Sequence, residues 1–263
     1  MTGENGHLSR FGFSFKRGGA HTSRTMMLEE LGTLLAHVNQ PDASKADYRR
    51  AIVDENCLGK RSGKTRVLTC GHLVDLYSLD PSIAIFRTLL YFWHRDAGGQ
   101  PLLALLCACA RDPVFRSTAP FILQSPQGAT IPRESLEEFI DGIEPGRFSK
   151  ATLKSTAQNI NSTWEKSGHL IGRANKRRAR AKPTPGSTAY ALFLGHLGGA
   201  RGRGLFDTEY AKLLDCTLDR AIDLAEEASR KGWIVSNRIG EVIEIRFPNL
   251  ITPEEAEWLR EQN

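Results

Sequence analysis

The side chains best suited to chemistry in this chain are amides, hydroxyls and amines spaced as they would be to hold a nucleic acid. Asn and Gln pair bidentately with adenine edges in a major groove, while Lys and Ser hold phosphate oxygens. Within residues 149–166, Leu153, Ala157, Ile160 and Trp164 recur at spacings of four, three and four, which gathers them on one buried helix face. The other faces carry Lys150, Lys154, Ser155, Gln158, Asn159, Asn161, Ser162 and Lys166. Just downstream, RANKRRARAK at 173–182 has six basic residues and no acid. Arg173, Lys176, Arg177, Arg178 and Arg180 are therefore candidates for phosphate contact, and Gln158 and Asn161 for base discrimination. Lys64 and Arg66 open an earlier helix, where free amides add partial positive charge. Arg201 and Arg203 lie in the glycine-rich string GHLGGARGRG at 195–204, whose amides can cradle phosphate. The plainer reading is an amphipathic helix beside a solvated basic loop, with a glycine string that binds nothing.

Other chemistries lack their residues. GKRSGKT at 59–65 is one residue short of a phosphate-binding loop, and no apolar strand precedes it. No HExxH or paired-cysteine motif suggests zinc. Glu137, Glu138 and Asp141 sit beside a turn without a lysine or histidine to complete a nuclease-like set. No nucleophile elbow is present. The expectation is a non-enzymatic chain with no catalytic residue, metal, cofactor or small-molecule substrate.

The elements that must position the basic residues follow from caps and periodicity. A short helix over about 134–141, a turn with Gly142, Pro145 and Gly146, and a helix capped by Ser149 and running to about 166 form a helix-turn-helix outline. Gly168 then ends the helix, Leu170 and Ile171 start a strand, and the basic run stops at Pro183 and Pro185. A strand followed by a charged excursion is the form of a wing.

Elsewhere, residues 1–24 read as an ordered basic arm in which Phe11, Phe13 and Phe15 alternate as in an edge strand. Three helices over 25–80 form a small helix-turn-helix-like module. Residues 81–125 are apolar on several sides and suit a central bundle, with one helix opened by Pro113 and running to about 123. Residues 126–185 hold the winged unit. Residues 186–263 echo it: a helix capped by Asp207, a second over about 217–230, a strand from Gly232-Trp233-Ile234, a turn over 237–240 and a returning strand. The junctions KSGHLI and RKGWIV share one form, a charged helix end, a glycine and an apolar strand. The expected fold is mostly α, with two or three helix-turn-helix or winged-helix modules around a central bundle.

The formal charge of +5 permits an anionic partner without demanding one. Five cysteines without metal spacing suit buried small residues in a reducing cytoplasm. Residues 1–24 lack the apolar core of a signal peptide, and the strongest apolar run, PLLALLCACA, is too short to cross a bilayer that needs roughly 20 residues.

Three segments, AIVDENCLGKRSGKTRVLTCGHLVDLYSLD, SKATLKSTAQNINSTWEKSGHL and AYALFLGHLGGARGRGLF, followed by LLD and the terminal Gly-Trp-Ile strand, resemble the BrxA family of bacterial BREX phage-defence systems. The resemblance implies a mostly helical cytoplasmic protein of winged-helix character that binds double-stranded DNA. It also implies action beside other BREX proteins, including a methyltransferase, an ATPase and a phosphatase-like protein. It carries no catalytic centre, and it matches DNA contacts to Lys64–Arg66, the 150–161 face and the 173–180 run. Two alternatives stand beside it, a scaffold that docks other defence proteins and an RNA-binding helical protein.

Overall fold

The computed structural model describes residues 3–261. Those residues are mostly helical, with two small antiparallel two-stranded sheets. Helix α1 (Gly3–Arg10) precedes an irregular stretch, after which come α2 (Leu28–His37), α3 (Lys45–Val53) and α4 (Gly63–Tyr77). Ser44 and Asp47 form a reciprocal capping box at α3, and the Ser62 hydroxyl accepts the Thr65 N–H at 3.2 Å to start α4.

The bundle begins with α5 (Ala84–Trp93) and α6 (Gln100–Arg111), followed by α7 (Pro113–Arg116) and α8 (Ala119–Gln124). The single helix expected from Pro113 onward is thus broken in two. Pro120 has no N–H to donate to the Arg116 carbonyl, so the helix cannot run through it. Then come α9 (Arg133–Ile143), α10 (Lys150–Lys166), β1 (Leu170–Ile171), β2 (Arg177–Arg178) and α11 (Pro185–Leu197). Residues 102–110 of α6 and 186–195 of α11 are buried without a break, and the two helices pack on each other and on α5. A helix apolar on all sides is stable only when surrounded, so α11 belongs to the central bundle as much as to the unit after it. Gly186 is required here: its N–H donates to Asp96 Oδ2 at 2.7 Å, and a Cβ would lie 2.5 Å from that oxygen.

The chain closes with α12 (Glu209–Lys212), α13 (Leu218–Arg230), β3 (Val235–Ile239), β4 (Val242–Arg246) and α14 (Pro253–Arg260). Thr208, not Asp207, caps α12, accepting the Ala211 N–H at 3.2 Å. The β3–β4 turn is Gly240-Glu241, two residues later than the glycine-terminated turn expected at 237–240, because Ile239 pairs with Val242 and Asn237 already lies in the ladder. Gly240 takes φ 59°, which favours glycine.

The N-terminal stretch does not form the edge strand that the alternating phenylalanines suggest. Phe11, Phe13, Ala20 and Met26 are buried, whereas Lys16, Arg17, Ser23 and Arg24 are exposed. The Ser14 N–H donates to Ala110 O at 3.1 Å, Arg111 donates to the carbonyls of Gly12, Val74 and Asp75, and the Tyr77 hydroxyl donates to Met26 O. His21 is fully buried.

Candidate nucleic-acid interface

The unit around α10 is assembled by pairing across the chain. Thr130, just before α9, pairs antiparallel with Arg177 in β2. The Gly128 N–H donates to Arg178 O, the Arg178 N–H to Ala129 O and the Ile131 N–H to Lys176 O, at 2.8–2.9 Å. On its other side β2 pairs with β1, Leu170 opposite Arg178 and Ile171 opposite Arg177. The order is therefore an extended segment, α9, α10 and a hairpin whose second strand returns to the first segment. Gly172 turns the hairpin with φ 98°, where a Cβ would meet Asn175 O at 2.4 Å.

Helix α10 starts at Ser149, whose hydroxyl accepts the Thr152 N–H at 3.2 Å, and it has three faces. Ala157, Ile160 and Trp164 are fully buried in the core. Ser155, Asn159 and Thr163, four residues apart in turn, grip the irregular N-terminal stretch. Asn159 Nδ2 donates to His21 O at 3.1 Å, Ser155 Oγ to Thr22 O at 3.4 Å, and Thr163 Oγ1 accepts the Met26 N–H at 2.9 Å. Lys150, Lys154 and Gln158, also four apart, are exposed.

The expected contact residues therefore separate. Arg173, Arg177 and Arg180 are exposed on or beside the hairpin, so the structure brings six candidates, with Lys150, Lys154 and Gln158, to the solvent side of one unit. Asn161 is buried, 5% exposed, so the base-reading face expected from Gln158 and Asn161 keeps only Gln158. Arg178 is likewise buried and cannot meet a phosphate. Strand side chains alternate in direction, so when Arg177 points out Arg178 points in. Its guanidinium forks onto Asp215 at 2.7 and 2.8 Å. Lys176 is tied to Glu165. Arg66 donates to Val53 O at 2.8 Å and so closes the end of α3. Lys64 is exposed, but on α4 in another part of the molecule.

Arg201 and Arg203 belong to the second hairpin unit, where the segment before α12 lies against β4. Arg201 donates to His196 O and Ala200 O at 2.8 Å, and Arg203 pairs with Glu241 at 2.5 Å. The glycine string is thus a helix end and a short 3-10 turn (Gly202–Asp207). The 59–65 segment follows helix α3 with no strand before it.

Three residues set far apart in sequence meet in a triad-like line. His21 Nδ1 lies 2.8 Å from Asp112 Oδ2 and Nε2 lies 3.0 Å from Thr163 Oγ1. Every member is buried to within a few per cent, so no substrate reaches the hydroxyl, and the line is a structural bolt. Burial alone would raise the Asp112 carboxyl, but His21 beside it and the amides of Phe115 and His21 outweigh that and hold it low. No local pattern signals it, because its members are 91 and 142 residues apart. His169 is a second buried imidazole. Its Nε2–H donates to Leu213 O at 2.9 Å and Ser167 Oγ lies 2.8 Å from Nδ1. Burial, which disfavours the imidazolium, lowers its pKa to about 4.

All five cysteines are free; Cys70, Cys107 and Cys109 are buried, whereas Cys57 and Cys216 are only half-buried. Among the described residues no three His, Cys, Asp or Glu side chains are grouped to hold a metal, and no helix is long and apolar enough to cross a membrane. No family model matches the chain, and no curated protein matches it.

Proposed function

We propose that the chain binds double-stranded DNA without catalysing a reaction on it, through a winged helix-turn-helix formed by residues 128–182. The observation that carries the reading is the return of β2 to the segment before α9. That closure makes a three-segment sheet, leaves α10 as the recognition helix and leaves 172–176 as the wing tip. Lys150, Lys154, Arg173, Arg177 and Arg180 hold phosphates, and Gln158 faces the bases. The α2–α4 unit with Lys64 is a further helix-turn-helix contact. In keeping with the BrxA resemblance, the role is that of a cytoplasmic accessory protein in a BREX-type phage-defence system.

The test is duplex mobility shift over a salt series. Replacing Arg173, Arg177 and Arg180 together with Ala is expected to weaken binding at least about tenfold and to flatten the dependence of log K on log salt by about 2–3. Binding that is absent at low salt, or unchanged in the triple variant, sinks the proposal.

A second reading, protein docking, is favoured for the other winged unit, α11–α13 with β3–β4. Helix α13 shows Asp219 and Asp223 to solvent, and the hairpin tip shows Ile239 and Val242, 83% and 72% exposed. Acidic and apolar side chains suit a protein surface and not a phosphate backbone.

A further inference from the structure

A cavity of about 720 Å³ opens where the α7–α8 helices, the chain just after β2 and the α12–α13 junction meet. Its volume falls in the range of small-molecule sites, roughly 300–1,000 Å³. Its apolar lining includes Pro113, Pro120 and Leu123. The cations Arg116, Arg180 and Lys212 also line it.

Those cations are held in different ways. Arg116 is fixed by donating to the carbonyls of Cys109, Ala110 and Ser14 at 3.2–3.4 Å, which orient the guanidinium without neutralising it by a carboxylate. Lys212 meets Asp207 at 3.0 Å in an exposed pair, a contact that solvent screens and a ligand can replace. Two carboxylates line the cavity, Glu209 and Asp215, but Asp215 is occupied on both oxygens by Arg178. Three cations thus line the cavity with two carboxylates, of which Asp215 is paired with Arg178 and Glu209 lies against Tyr210.

We infer that this cavity binds a small organic anion with a flat ring, of the class of nucleoside monophosphates. The ring lies on the proline and leucine wall, since a rigid apolar face suits a planar partner, and the phosphate is taken by Arg180 and Lys212. The site joins the two winged units, because Arg180 follows the first hairpin and Lys212 lies on α12 of the second. Where the DNA-binding proposal holds, Arg180 serves both ligands, and occupancy of the cavity weakens duplex binding.

The test is calorimetric titration with adenosine 5′-monophosphate, beside adenosine and inorganic phosphate alone, in the absence of DNA. The nucleotide is expected to bind with a Kd below about 1 mM and at least about tenfold more tightly than either fragment. Arg180→Ala and Lys212→Ala should each weaken it about tenfold while leaving the unfolding midpoint of the free protein in place. No binding, phosphate binding as well as the nucleotide, or indifference to both substitutions overturns the inference. Because no DNA is present, that failure leaves the duplex proposal standing.

Discussion

The two helix-and-hairpin units differ in what they offer to solvent, although their order of elements is the same. Helix α10 presents Lys150, Lys154 and Gln158, and its one carboxylate, Glu165, is tied to Lys176. Helix α13 carries Asp219, Asp223, Glu226 and Glu227 against Arg220 and Arg230. The first hairpin exposes Arg173 and Arg177, the second Ile239 and Val242. The buried sides are alike, with apolar residues at helical spacing in both. Packing constrains one face of a helix and leaves the other free, so a shared architecture says little about a shared partner.

The joint between the units offers the sharpest way to break this comparison. Arg178 of the first unit forks onto Asp215 of the second with side chains 4% and 14% exposed. Arg178→Ala strands a buried carboxylate and is expected to cost about 3–5 kcal/mol in urea unfolding. Arg177→Ala, one residue away and exposed, should cost less than about 0.5 kcal/mol. Equal effects would refute the in-and-out assignment.

Acid should weaken the same joint. His169 takes its proton near pH 4 in the folded chain and near 6.5 when unfolded. The unfolded state therefore binds the proton first as pH falls. The stabilising contribution is complete above about 6.5 and drains away between 6.5 and 4, reaching about 3 kcal/mol. His196, also lowered to about 4 by burial and then by Arg201, adds a slope in the same window. His169→Gln should remove roughly half of the stability difference between pH 7 and pH 4.5; an unchanged slope would show that the imidazole titrates freely.

Charge exchange sharpens the comparison at the surface. Lys150→Ala with Lys154→Ala should lower duplex affinity about tenfold at low salt, near 1.4 kcal/mol, whereas Asp219→Asn with Asp223→Asn should not lower it. Loss in both pairs would assign both helices to DNA. The smallest expected change is in the apolar tip: Ile239→Thr with Val242→Thr should shift stability by less than about 0.5 kcal/mol, as measured by thermal unfolding, because neither side chain is packed.

Local signals made much of this fold legible. Ser149 caps the helix that the sequence assigns to it, accepting the amide three residues on, because a cap acts within one turn of chain. The break at Pro120 is also local, a missing amide masked by the apolar run on either side of it. What was not legible depends on distant partners. Helical spacing separates Ala157, Ile160 and Trp164 from the rest of α10, but it cannot say that Ser155, Asn159 and Thr163 face a stretch near residue 21. That stretch removes them from the exposed set, and Asn161 is buried as well. In the same way the six basic residues of 173–182 look equivalent until a strand register sends Arg178 inward to an aspartate 37 residues away.

The bolt of His21, Asp112 and Thr163 also sets the timing of assembly on the ribosome. His21 is synthesised early, yet the residue that receives its Nε2 comes 142 residues later. At about 5–20 residues per second the gap is roughly 7–28 seconds. During that interval the stretch that carries Phe11, Phe13 and Met26 can meet Tyr77, Ile85 and Ala110 but not α10. The bolt therefore closes late in synthesis, when α10 reaches a stretch already lodged against the helices before it.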